Sequence, residues 1–278
     1  MGPLSALKPL ENVYCVYAGA SVTDLKVLST LTRLQDLNIS GMPNVISLKP
    51  LSTLVGMRSL NITRTDVSDL SPLSAMTRLE ELRYWYSPVE DLDPLSGLMG
   101  LRHLDLGYTD VSDLSPLSAM TMLEELSCWY SPVEDLVPLS GLMGLRYLDL
   151  SSSLVSNLRP LSALTGLREL HFERTQIENL GPLSALKGLH NLHCNHCPID
   201  HLYPLSALTG LTALFCNSTG DIQDLSPLSA LTNLETLHVD ENIDDSTLAA
   251  LTKLKDLCLC EFSEEESESE EESEEEEE

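Results

Sequence analysis

The densest run of side chains able to hold a metal is His190, His193, Cys194, His196 and Cys197. Imidazole and thiolate donors at such short spacing are the raw material of a tetrahedral zinc site. Leucines recur through this chain at fixed positions, however, and against them Cys194 and Cys197 fall on inward slots while His193 falls on an outward one. One ion cannot gather all three without breaking the pattern, so the expectation is two core thiols, solvent-facing histidines and no metal. No cofactor is expected either. The chain carries no G-x-S-x-G, no phosphate-binding loop, no H-E-x-x-H and no G-x-G-x-x-G framed by a strand and a helix, and it is read as not an enzyme.

What remains is the chemistry of contact. Both tryptophans, Trp85 and Trp129, are spaced 44 residues apart, and each precedes a tyrosine, Tyr86 and Tyr130. Tyr108 lies midway, next to Gly107. Aromatics concentrated on an open face are what protein hot spots are made of. In the last residues, Ser263, Ser267, Ser269 and Ser273 each have Glu three residues later, a pattern that acidophilic kinases favour, so phosphorylation is expected there.

The elements that position these residues are repeats. Pro72-Leu73-Ser74-Ala75-Met76 returns in recognisable form at Pro94, Pro116, Pro138, Pro160, Pro182 and Pro204, always after 22 residues. Looser copies stand at Pro3, Val27, Pro50, Pro227 and Thr247, at steps of 20 to 24 residues. A fixed step of this size means a stacked array. Within a copy, Leu98, Leu101, Leu104, Leu106, Val111 and Leu114 mark the inward positions. A short strand from His103 to Gly107 then sends Leu104 and Leu106 inward and His103, Asp105 and Gly107 outward. Twenty-two residues leave little room for a full α-helix on the return path. A 3-10 turn opened by proline is expected there, capped in several copies by Ser71, Asp93, Ser115 or Ser226.

The pattern L-x-x-L-x-x-L-x-L-x-x-T-x-V-x-D-L-x-P-L over residues 3–260 resembles the leucine-rich repeat, in its 22-residue Sds22-like form known from phosphatase regulators and bacterial internalins. It is also similar to the repeats of kinetoplastid leucine-rich repeat proteins. The resemblance implies an α/β right-handed solenoid with a parallel β-sheet on the concave face and short turns on the convex face, and a role in binding proteins. The sequence departs from the usual pattern at the asparagine-ladder position, which holds Thr65, Ser87, Thr109, Ser131, Ser153, Thr175 and Cys197; hydroxyls can still bond backbone there, whereas a thiol is a poor substitute.

Stacked strands align their outward residues in columns. One runs Thr63, Trp85, Gly107, Trp129, Ser151, Glu173, and beside it runs Arg64, Tyr86, Tyr108, Tyr130, Ser152, Arg174. The partner-binding candidates are thus Trp85, Tyr86, Gly107, Tyr108, Trp129 and Tyr130, joined along the same face by His103, Tyr147, His171, His193 and Phe215. Gly107 is expected to leave a slot between the two indoles, two strand spacings or roughly 9 to 10 Å wide. The alternative is that the rings pack on one another as a structural ladder. Residues 66–109 and 110–153 differ at only 8 positions, so the paired aromatics come from one duplication.

Charge narrows the partners. Of the 43 acidic residues, 13 lie in 261–278, where no Lys or Arg occurs; of the net charge of −27, the tail holds −13 and the repeats −14. Two acidic parts exclude nucleic acid as a ligand and favour a protein with a basic segment. The domains are read as 1–260, an array of about twelve units whose N-terminal cap is missing, and 261–278, a disordered Glu/Ser tail. The Glu-rich tail makes the architecture similar to that of the acidic leucine-rich nuclear phosphoproteins, which implies a histone partner as the repeat type implies a phosphatase. The 7 cysteines form no disulfide framework: Cys194 and Cys216 are expected buried, Cys258 and Cys260 accessible. No signal peptide or run of 18 apolar residues is present, so no membrane span is expected and cytoplasm or nucleus is. A secreted surface adhesin is the reading if an upstream signal is missing. The expected function is protein recognition on the concave aromatic face, the alternative an acidic chaperone acting through the tail.

Overall fold

A computed structural model of the protein describes residues 9–17, 22–219, 222, 224–240 and 245–259. The expected tail, its four serines, the N-terminal Leu4 and Leu7, and Cys260 lie outside the described residues. Each repeat contributes one short strand: β1 (Asn12–Tyr14), β2 (Asp36–Asn38), β3 (Ser59–Asn61), β4 (Glu81–Arg83), β5 (His103–Asp105), β6 (Glu125–Ser127), β7 (Tyr147–Asp149), β8 (Glu169–His171), β9 (Asn191–His193), β10 (Ala213–Cys216), β11 (Thr236–Val239) and β12 (Asp256–Leu259). They form one parallel sheet in sequence order. The register places leucine against leucine across nearly every pair, Leu60 to Leu82 to Leu104 to Leu126 to Leu148, because the repeat step returns the same residue to the same height.

Inward leucines from the strand, the return turn and the connecting loops make one continuous core, almost all of it below 3% exposed. At about 1.5 to 3 kcal/mol for each buried aliphatic side chain, this row is the dominant favourable term. The position after each strand varies in volume: Ile62, Tyr84, Leu106, Cys128, Leu150, Phe172, Cys194, Cys216. Large and small residues share this column so that Tyr84 and Phe172, the largest buried side chains, fit beside shorter neighbours. The Tyr84 hydroxyl finds no hydrogen-bond partner there.

The return path consists of 3-10 turns such as Ser71–Leu73, Asp93–Leu95 and Gly181–Ala185, with proline at the start in all but Lys26–Thr30. Among the described residues only Asp245–Ala250, in a repeat without proline, forms an α-helix. The capping assignment changes. Ser71, Asp93, Ser115 and Ser226 are the first residues of their turns, and the cap is the carboxylate two residues earlier: Asp69, Asp91, Asp113 and Asp224 each accept from the backbone N–H of these residues at 2.8 to 2.9 Å. Asn157 and Asn179 do the same work where no charge is present. The Ser71 hydroxyl and N–H hold the Asp69 carboxyl below the usual range, and Ser115 does so for Asp113. The serine two residues after the proline closes the turn, as when Ser74 donates to the Ser71 carbonyl at 2.9 Å.

The cysteine reading holds in part. Cys128, Cys194, Cys197 and Cys216 are buried free thiols and Cys15 is a half-buried one. Cys258, expected to be a labile thiol on the last strand, is instead disulfide-bonded. None of the helices among the described residues is long and apolar enough to cross a membrane.

Candidate functional site

The strands are three or four residues long because the chain leaves the sheet at a fixed point. Two residues after the last buried strand position, Arg64, Tyr86, Tyr108, Tyr130, Ser152, Arg174 and His196 all adopt φ of +50° to +58°, the left-handed region. Gly41 is the glycine of this column, and a side chain there would strike the Tyr17 ring at 2.4 Å. For the others the conformation costs about 1 kcal/mol or more each. Cross-repeat hydrogen bonds hold it: the N–H of Tyr86 donates to Gly107 O at 3.0 Å, that of Tyr108 to Trp129 O and that of Tyr130 to Ser151 O, both at 2.8 Å.

The next residue dives back into the core, and here the Thr/Ser/Cys column stands in for the asparagine ladder. Hydroxyls from two successive repeats share one carbonyl: Thr65 and Ser87 both donate to Ile62 O, Thr109 and Ser131 to Leu106 O. Thr175 and Cys197 share Phe172 O, the thiol at 3.1 Å, so the cysteine fills its slot better than its chemistry promised. Ser153 is left over, and its hydroxyl has no partner.

The left-handed turn lifts the tyrosine column into a stack. Tyr86, Tyr108 and Tyr130 lie face to face with centroids 4.3 and 4.4 Å apart. Arg64 sits over the rings of Trp85 and Tyr86 at 5.1 and 5.5 Å, and Arg174 donates to the Tyr130 hydroxyl at 3.4 Å. The indoles lean inward against this stack, Trp129 edge-on to Tyr108 at 4.8 Å. Tyr86 and Tyr130 remain exposed; Trp85, Trp129 and Tyr108 are half-buried.

The expected slot is absent. The centroids of Trp85 and Trp129 are 6.2 Å apart, and a Cβ at Gly107 would fall 2.0 Å from Trp129 Nε1. Gly107 is buried because the indole of Trp129 lies over it: glycine makes room for the ring of this chain, and no open gap is left for a ligand.

The opening lies beside the rings. Trp129, Arg83, His103, Asp105, Glu125, Ser127, Tyr147 and Asp149 line a concavity of about 280 Å³ on the concave face. Its floor is acidic, and the basic side chains that line it are already engaged: Arg83 with Glu81 at 2.7 Å, and the His103 ring with Glu125 at 3.0 Å. Burial pushes the Asp105 carboxyl up, against the opposing pull of the Gly107 N–H, the Ser127 hydroxyl and Arg83. Burial, followed by the charge of Asp149, pushes the Tyr147 phenol well above its ordinary value. A cation entering this pocket would offset the cost of burying the Asp105 carboxylate.

Beyond Tyr147 the column of Asp149 carries a second row of rings, His171, His193, Phe215 and His238. Tyr147 meets His171 edge-on at 5.3 Å, His171 lies 4.0 Å from His193, His193 stacks on Phe215 at 4.1 Å, and Phe215 meets His238 at 4.6 Å. All eleven residues expected on the binding face therefore lie along one face, in two rows joined by the pocket. The sequence run His190 to Cys197 is dispersed as expected, with Cys194 in the core and His190 bonded to Gly188 O. Sequence reasoning missed a different group: one ligand atom from each of Glu169, His171 and His193 lies within 4.8 Å of the other two. Glu169 and His171 alternate on β8 and His193 is the register partner of His171 on β9, so the strand register brings the three together.

Twelve short parallel strands, 3-10 returns and a leucine core define the leucine-rich repeat solenoid, and this chain has that fold. No family model and no curated protein sequence matches it. Among solved structures it is similar to an internalin (inlF) of Listeria monocytogenes, at 26% identity and TM-score 0.69 over 92% of this chain and 88% of that one. It is also similar to a leucine-rich repeat protein of Leptospira interrogans, at 20% identity and TM-score 0.74, spanning 83% of this chain and 62% of the other. A plant peptide hormone receptor, RGFR1 in complex with RGF2, shares the fold at 18% identity and TM-score 0.69, with 84% of this chain covering 41% of the receptor.

Proposed function

We propose that the protein is a non-catalytic recognition module that binds a protein partner on its concave face, taking a basic side chain of that partner into the pocket beside Trp129. One observation carries this reading: the pocket combines an aromatic wall with Asp105 and Asp149, while Arg83 is paired with Glu81 outside its lining. Trp129 offers a ring for a guanidinium or ammonium to lie against, and the floor offers the charge. The exposed tyrosines supply flat contact area beyond the pocket. A neighbour of the same fold is solved with a peptide hormone, which supports recognition as a use of this scaffold, though a shared fold does not carry the ligand across.

The test uses the full chain and an arginine-containing peptide, followed by the emission of Trp85 and Trp129, the two tryptophans of the chain. Trp129→Ala and Asp149→Asn are each expected to weaken binding by about 2 kcal/mol, as loss of a central anchor does, with circular dichroism at the assay temperature unchanged. A neutral peptide of equal length should bind no better than the variants. If deleting residues 263–278 abolishes binding and the two substitutions do not, the tail is the binding element and this reading fails.

A further inference from the structure

We infer that Glu169, His171 and His193 form a binding site for a divalent transition metal, zinc by its donor set, on the concave face two to three repeats past the aromatic stack. Glu169 and His171 are alternate residues of β8, so their side chains leave the sheet on the same side. His193 is the register partner of His171 on β9, and its ring lies 4.0 Å away. Two ligands of a tetrahedral zinc ion, each about 2.0 to 2.1 Å from it, stand about 3.4 Å apart. The three donors here lie within 4.8 Å of one another, and small side-chain rotations close that gap.

Two neutral imidazoles and a carboxylate are a familiar zinc set that leaves one position open. The surroundings hold those ligands as a metal site requires. Glu173 Oε1 lies 3.5 Å from His193 Nδ1 and accepts from Asn195 Nδ2 at 2.7 Å, so a carboxylate backs one histidine. Asn191 donates to Glu169 Oε2 at 3.3 Å, leaving Oε1, now 2.9 Å from His171 Nε2, free to turn to the ion. Phe215 against His193 and Tyr147 against His171 fix the rings from the two ends. Such outer partners set ligand orientation. All four titratable residues are partly covered, their side chains 19 to 34% exposed, unlike a solvated surface cluster. The buried thiols of Cys194 and Cys197 point to the other side of the sheet and take no part.

The experiment titrates tag-free, chelator-stripped full-length protein with zinc chloride against a competing chromophoric chelator, and with cobalt(II) as an absorbing substitute. Wild type is expected to bind one equivalent and to give the visible bands of a low-coordinate cobalt site. Glu169→Gln, His171→Asn and His193→Asn should each weaken binding at least tenfold, and Glu173→Gln about tenfold, through orientation. His238→Asn, on the same column two strands past His193, should bind as wild type does. Glu169→Gln is nearly isosteric, so circular dichroism identical to wild type separates lost ligation from lost fold. Zinc binding equal in wild type and in the Glu169/His171/His193 triple variant would place the metal elsewhere on this acidic chain and overturn the assignment, as would no saturable binding by wild type.

Discussion

The two copies of the duplicated block, residues 66–109 and 110–153, differ at 8 positions and yet present different surfaces. The backbone frame is common to both: the same leucine register, the same left-handed turn, the same carboxylate cap at Asp69 and Asp113. Four of the 8 differences, Arg83/Ser127, His103/Tyr147, Gly107/Ser151 and Tyr108/Ser152, fall on the concave face. Gly107 of the first copy lets Trp129 lie flat, whereas the second copy has Ser151. Tyr108 continues the ring stack, whereas Ser152 ends it, so Arg174 reaches past Ser152 to Tyr130. Tyr84 fills the core where Cys128 does so in the next block. A solenoid thus separates two tasks that a globular core mixes: inward positions maintain the stack, while outward ones diverge at little cost to it.

Exchanging residues between the copies tests that separation, and the largest effect is expected in the core. Tyr84→Cys gives the first copy the second copy's residue and should cost about 3 kcal/mol, set against relief from burying an unpaired hydroxyl. Urea unfolding measures it; a loss below about 1 kcal/mol would mean that the phenol's unmet hydrogen bond cancels the worth of its packing. A smaller effect is expected at the surface. Gly107→Ser should lift Trp129 off the backbone, cost about 1 to 2 kcal/mol as overpacking does, and shift tryptophan emission to the red. Unchanged emission would show that the two indoles do not close over Gly107.

The smallest effect separates charge from geometry in the caps. The Asp69 and Asp113 carboxyls are held below their ordinary values by hydrogen bonds from Ser71 and Ser115, so they favour the fold above the unfolded pKa near 4, and this contribution disappears as pH falls through the lower folded value. Asn, which caps at Asn157 and Asn179, keeps the hydrogen bond without the titration. The double variant Asp69→Asn/Asp113→Asn should lose less stability than wild type between pH 5 and pH 2.5. An equal loss of unfolding free energy in wild type and variant between the two pH values, measured by urea titration, would show that neither cap is linked to protonation.

How much of this was legible in the sequence follows from what the repeat encodes. The 22-residue step and the leucine positions fix inward and outward, so the sheet, the 3-10 returns, the core thiols and the alignment of Trp85 with Trp129 could all be read from spacing. Three things could not. The slot at Gly107 depended on a rotamer, and spacing between Cα positions does not say that an indole will fold into the space a glycine leaves. The cap was assigned to Ser71 and not Asp69 because D-L-S-P offers two candidates, and only the turn geometry chooses between them. The left-handed column was hidden because Tyr, Arg and Ser are not residues that announce positive φ; the cross-repeat hydrogen bonds that enforce it exist only once the repeats are stacked. The grouping of Glu169, His171 and His193, by contrast, follows from spacing alone, because the 22-residue step sets His193 beside His171 and alternation sets Glu169 on the same face.

The shared carbonyls of the Thr/Ser column carry an implication for how such a chain can change length. Ile62 O, Leu106 O and Phe172 O each serve hydroxyl or thiol donors from two consecutive turns, so the buried polar ladder is counted in pairs. The threonine of each pair bonds a carbonyl of its own turn, so insertion or loss of one turn is predicted to strand only the second member, while a step of two turns keeps every pair intact. The duplication of 44 residues is a step of that even kind, and Ser153, with no acceptor of its own, marks the point where the count is odd. The array has a parity, and its history of growth is written in which of its hydroxyls went without a mate.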